Sequence, residues 1–216
     1  PPSLTDQSGN LGNAIAFIDA NIDHYDHLVQ GITADTTIFT IPSDQDGVRY
    51  ITEHLSKYQE NYRIYIVAHG EPGGLFLGST ALSLETLEKY SWDIQSWFSP
   101  RAHLTQSALI LYSCNVARGQ EGAEFLHQLR QLCGVAIAAS STPIGDATKG
   151  GSWDLDQTTD PMNVVVPFRP CIMEAYPAVL GSIEGRVWDD ANANGIQDDG
   201  EVAIAGTLPD LLMPGW

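Results

Sequence analysis

The chain has 216 residues, 43% of them apolar, and carries 27 acidic against 10 basic residues, for a formal charge of −17. That composition supports a buried core, and no apolar run approaches the roughly 18 residues that a membrane span requires. The acidic balance argues against nucleic acid or an anionic membrane as partner, since both need a basic surface, and favours cations and basic peptides.

Residues 1–12 are polar and rich in Gly, Ser and Asn, and read as a flexible leader without a basic or apolar targeting segment. Ala14 to Asp19 is a short apolar strand ending on a carboxylate, followed by a short helix from Asp23 to a glycine stop at Gly31. Thr37 to Ile41 is a β-branched strand closed by Pro42. The helix after it opens at Asp44 to Gly47, runs to about Tyr58 and places Val48, Ile51 and Leu55 on one face. Arg63 to Ala68 is the third strand, ending at His69-Gly70, and the loop Glu71-Pro72-Gly73-Gly74 can approach a substrate backbone closely. Leu75 to Leu82 reads as a hairpin centred on Gly78-Ser79, and a helix is expected from Ser83 towards Ser99-Pro100. Its Trp92, Trp97 and Phe98 fit core packing better than a ligand platform.

Ala108 to Tyr112 is a continuous apolar run suited to a strand covered on both faces, and it delivers Ser113 and Cys114. A helix follows from Glu121 to Leu132, with Phe125, Leu129 and Leu132 at helical spacing and Gly134 as its stop. Val135 to Ala139 is a fifth strand, residues 142–159 read as a long loop or hairpin, and Asn163 to Phe168 as a last edge strand. Strands alternating with helices predict an α/β fold, a three-layer α/β/α sandwich with a mainly parallel sheet, over residues 13–177.

In such a sheet the carboxyl ends of the strands share one edge, so neighbouring third and fourth strands bring His69 and Cys114 side by side. A cysteine nucleophile needs an adjacent base, and histidine is the usual partner. The backbone N–H groups of Gly70 and Cys114 form a candidate oxyanion hole. Of the other histidines, only His24 and His27 lie close together, beside Asp23 and Asp26, and there a solvated helix face outweighs a metal site. Cys133 and Cys171 leave two readings open, a bridge between them or free thiols, with a buried free Cys133 the commoner outcome.

The order hydrophobic block, His-Gly, hydrophobic block, Cys, with Cys114 a separation of 45 positions after His69, resembles the caspase-like cysteine peptidases that include metacaspases, paracaspases, gingipains, clostripain and separase. The text Ile-Val-Ala-His-Gly-Glu-Pro-Gly, Leu-Tyr-Ser-Cys-Asn-Val-Ala-Arg-Gly and Gly-Gly-Ser-Trp-Asp-Leu resembles, more narrowly, a bacterial domain of unknown function, number 4347, across about residues 13–168. The resemblance implies a caspase-like sheet, a Cys-His dyad acting on protein or peptide substrates, the chain itself among them, and a place at the front of large secreted or surface proteins. A catalytically inactive binding or adhesion module of the same fold stands as the alternative. By analogy with basic-specific relatives, an acidic pocket of Asp19 completed by Ser140 and Asp146 would select Arg or Lys before the scissile bond. Asp19 serves equally well as a helix cap. Self-cleavage candidates on the basic reading are Lys149-Gly150 and Arg186-Val187.

Residues 181–216 form a separate segment. After a strand-like Gly181 to Trp188 comes a twelve-residue loop with oxygen ligands at Asp190, Asn192, Asn194, Asp198 and Glu201, the Ile196 carbonyl, and glycine at its sixth position. This is the ligand pattern of a calcium loop. The strand before it departs from a true EF-hand and resembles the start of a B-type repeat of serine-aspartate-repeat surface proteins. That resemblance implies structural Ca²⁺ and an exported, cell-surface protein. The segment carries seven acidic residues against Arg186, a local charge that a cation would relieve.

Overall fold

The computed structural model describes residues 14–58, 63–99 and 107–181. The chain divides into two units, 1–181 and 182–216, and the calcium loop predicted at residues 190–201 lies outside the described residues.

Five strands follow the apolar runs of the sequence: β1 (Ala14–Asp19), β2 (Thr36–Ile41), β3 (Arg63–Val67), β7 (Ala108–Tyr112) and β8 (Ala136–Ala139). They are parallel, in the order β2-β1-β3-β7-β8, and the two-residue β9 (Gln157–Thr158) joins β8 antiparallel as the last strand. Burial on both faces accounts for the near-continuous apolar character of β3 and β7, every residue of which is buried. Ile15, Phe17, Ile64, Ile66, Leu109 and Leu111 face one core cluster, while the alternate residues Ala16, Ile18, Tyr65, Val67 and Ile110 face another. Helices α2 (Gly47–Leu55), α3 (Ser91–Ser96) and α4 (Gly119–Cys133) bury residues in the first cluster; α1 (Tyr25–Gly31) and α5 (Pro170–Ala175) contribute to the second. The result is the expected three-layer α/β/α arrangement.

Local chemistry sets the helix ends. The Asp46 side chain accepts from Arg49 N at 3.2 Å, capping α2 above a face of Val48, Ile51 and Leu55. Helix α4 stops where Gly134 turns left-handed, its N–H bonding to Arg130 O. A small antiparallel sheet, β4 (His69–Glu71), β5 (Gly74–Leu77) and β6 (Thr80–Ser83), contains the hairpin expected around Gly78-Ser79.

Three expectations need correction. Helix does not run from Ser83: the Thr86 hydroxyl accepts from Ser83 N and donates to the Ala81 carbonyl, so residues 84–90 form turns and regular helix begins at Ser91. Of its aromatics, Trp97 is fully buried and donates to Thr52 Oγ1, whereas Trp92 is 84% exposed. Residues 163–168 are not an edge strand. They cross a face of the sheet, where Tyr65 OH donates to Val165 O at 2.8 Å and Val164 packs on the second cluster. The packed chain also continues beyond residue 177, with Ala178, Val179 and Leu180 all buried. All three cysteines are free, Cys133 buried and Cys171 exposed, so the bridge between them does not form.

Candidate active site

Strands β3 and β7 are in register as neighbours, Val67 opposite Tyr112, and Ala68 N donates to Tyr112 O at 3.2 Å. Two residues beyond each strand end, the chain delivers His69 and Cys114 to the same edge. Gly70 permits this crossing: a Cβ there would come 2.8 Å from Ser113 Cβ and 2.9 Å from the Cys114 carbonyl oxygen. Directly after the cysteine, Asn115 turns the backbone left-handed with φ 60°, a conformation that asparagine tolerates better than most residues. Its buried Oδ1 and the Ser113 Oγ have no hydrogen-bond partner among the described residues.

The Cys114 side chain is 1% exposed. Ile144 N donates to its sulfur at 3.1 Å, and the sulfur lies 3.7 Å from Ile144 O. Burial pushes the thiol pKa above its ordinary value, against the opposing pull of the Ile144 and Leu180 backbone groups. Leu180 also reaches the imidazole, since His69 Nδ1 lies 2.5 Å from its carbonyl oxygen while Nε2 lies 3.0 Å from Asn21 O. Both partners are acceptors, and a neutral ring donates to only one of them. Gly181 follows directly over the thiol: a Cβ on it would meet Cys114 Cβ at 2.5 Å and Sγ at 3.0 Å. The Leu180-Gly181 peptide is therefore held between the imidazole and the sulfur.

The three residues assigned to a basic-selective pocket are engaged locally. Asp19 is fully buried; its Oδ1 accepts from Asn21 N at 2.8 Å and its Oδ2 from Gly78 N at 2.5 Å. Desolvation raises its pKa in spite of those bonds. The buried Ser140 hydroxyl donates to Thr142 O, and Asp146 accepts from Thr148 N and Oγ1 to cap a short 3₁₀ turn over Ala147–Lys149. The Gly73 loop packs on the turn after Cys114, Gly73 N donating to Val116 O. Sequence reasoning missed Leu180, Gly181 and Asn115. The only signal for the first two was a short apolar run ending in glycine, outside any strand-helix repeat.

Fold and edge together define an α/β domain that presents a thiol and an imidazole at the carboxyl ends of two adjacent parallel strands. The family described as Domain of unknown function (DUF4347) matches residues 15–180, and the chain belongs to that family. Among solved structures it is similar to Caspase-1 from Spodoptera frugiperda, at 14% identity and a TM-score of 0.37 over 66% of this chain. The match covers 65% of that chain, less than two thirds of its length. No curated protein matches the sequence.

Proposed function

We propose that the domain is a caspase-like cysteine endopeptidase, with Cys114 as nucleophile and His69 as general base and acid. The observation that carries this reading is the Leu180-Gly181 amide lying against both side chains, with the Leu180 carbonyl 2.5 Å from His69 Nδ1 and the Gly181 backbone on the sulfur. Once the Leu180 carbonyl leaves Nδ1, His69 takes the Cys114 proton, the sulfur attacks a peptide carbonyl carbon, and the N–H groups of Gly70 and Cys114 stabilise the oxyanion. The imidazolium then protonates the leaving amine, and water hydrolyses the thioester. The alternative, an inactive caspase-like module for binding or adhesion, draws on a single observation, the near-complete burial of the thiol.

As part of the same reading, residues 190–201 hold one Ca²⁺ through Asp190, Asn192, Asn194, the Ile196 carbonyl, Asp198 and Glu201 in an exported bacterial surface protein. The support is the donor set: all hard oxygens, with three carboxylates, in a number that suits calcium better than magnesium. Saturable calcium binding lost in Glu201→Ala is the expected calorimetric result. Binding unaffected by that change removes the assignment.

Hydrolysis of fluorescein-labelled casein by the wild type, Cys114→Ala and His69→Ala, each with and without calcium, tests the peptidase. Loss of at least about 10³-fold in both variants is expected. Equal hydrolysis by wild type and Cys114→Ala would overturn it in favour of the inactive module.

A further inference from the structure

After α5, Tyr176 donates its hydroxyl to Asp23 O at 2.8 Å, and the chain then bends at Ala178, bridges at Val179 and turns at Leu180-Gly181 along the carboxyl edge of the sheet. Residues 178–180 pair antiparallel with residues 144–146: Asp146 N donates to Ala178 O at 2.9 Å, Gly145 bridges Val179, and Leu180 N donates to Ile144 O at 2.8 Å. Main-chain pairing with an extended segment, and a pocket for an alternate side chain, is how a peptide is read by strand addition. Two glycines leave room for it. A Cβ at Gly145 would collide with Ala178 O, and one at Gly151 would come 2.8 Å from Val179 Cγ1.

We propose that Ala178–Gly181 is the protein's own first substrate, bound in the peptide cleft with Leu180-Gly181 as the bond to be cut. The cleft then selects a leucine-like apolar residue before the scissile bond, and the cut frees the chain from Gly181 onward. The inference rests on the peptidase reading above. Leu180 is 0% exposed and belongs to the apolar cluster that also holds Ile18, Ile22, Val67, Tyr112 and Ile144. A lysine or arginine there would bring an unpaired charge into that cluster, because both Asp19 oxygens already accept backbone N–H groups. Gly181 is suited to the other side of the bond, because its backbone rests on the nucleophile where no Cβ fits. The family match ends at residue 180 and the first unit of the chain at residue 181, so the bond lies at the very end of the first unit and within it.

The step balances with water as the co-reactant. With the Leu180 carbonyl turned from His69 Nδ1 to the N–H groups of Gly70 and Cys114, Cys114 gives its proton to the freed His69 Nδ1 and bonds to the Leu180 carbonyl carbon; the bond to Gly181 N breaks, and the imidazolium proton goes to the new Gly181 amine. Water then cleaves the thioester, leaving a Leu180 carboxylate and a free thiol. The raised thiol pKa under this segment fits a resting state in which the nucleophile is protonated and covered.

The test incubates the full chain, wild type beside Cys114→Ala, with and without calcium, followed by intact mass and N-terminal sequencing. A fragment beginning at Gly181 is expected from the wild type and none from Cys114→Ala. Leu180→Met should still be cut, and Leu180→Asp should be cut more than about tenfold more slowly. In parallel, Ala-Val-Leu and Ala-Val-Arg joined to a fluorogenic amine are offered in trans, with at least about a tenfold preference for leucine expected. Cutting after Lys149 or Arg186 with the arginine reporter preferred would overturn the inference and leave the peptidase standing. Turnover of the leucine reporter with Leu180-Gly181 intact would overturn self-cleavage while leaving the peptidase standing. No fragment and no turnover of either reporter would remove both.

Discussion

Replacing Leu180 by alanine should uncover Cys114 without unfolding the domain. The side chain is completely buried, and truncating such a leucine costs about 2–5 kcal/mol. The lower part of that range applies to a segment able to relax, so about 3 kcal/mol is expected. Because residues 178–181 end the packed unit, that cost falls on the local equilibrium between the seated and lifted segment. With tenfold per 1.4 kcal/mol, the lifted population rises by about 100-fold. The assay is the rate of iodoacetamide alkylation of each cysteine, followed by peptide mapping, in a His69→Ala background so that no chain is cut during labelling. The other two cysteines are internal controls: exposed Cys171 should react at once in every variant, and Cys133, buried in the other core cluster, reports global opening. Cys114 should label about 100-fold faster in Leu180→Ala while Cys133 stays protected. Parallel acceleration of Cys114 and Cys133, or an unchanged rate at Cys114, would refute the reasoning.

Two further outcomes follow from the electrostatics of the edge. Because burial raises the Cys114 pKa, its alkylation rate should still be climbing with pH where that of a free thiol such as N-acetylcysteine has levelled off. Leu180→Ala should move the Cys114 profile to lower pH; a wild-type Cys114 profile coincident with that of the free thiol would contradict the burial argument. Asp19→Ala orphans Gly78 N and Asn21 N and should cost about 1–3 kcal/mol in urea unfolding. An unchanged midpoint with altered preference between the leucine and arginine reporters would restore Asp19 to a specificity pocket.

The readable parts of the molecule are those whose cause is local. β3 and β7 are continuous apolar runs because they are covered on both faces, and that pattern placed His69 and Cys114 at strand ends before any geometry was known. The stop of α4 at Gly134 and the Gly78-Ser79 hairpin are likewise written in single residues. What escaped depends on distant partners. Asp19 looked free to bind a basic side chain because its partner Gly78 comes from a hairpin well downstream in sequence. Residues 163–168 have the composition of an edge strand, yet the contact that decides their course is the Tyr65 hydroxyl on Val165 O. The segment over the dyad pairs with loop residues 144–146, which no periodicity marks, so Leu180 and Gly181 gave no sign of their position.

The central claim, a cysteine nucleophile served by His69, is tested most directly by a peptidyl acyloxymethyl ketone ending in leucine. The reagent is incubated with the Leu180→Ala chain, and the adduct is located by peptide mapping. The account predicts one stoichiometric thioether on Cys114, its formation slowed by at least about 100-fold when His69→Ala is added. Adducts on Cys171 alone, or modification of Cys114 at the same rate with and without His69, would contradict it.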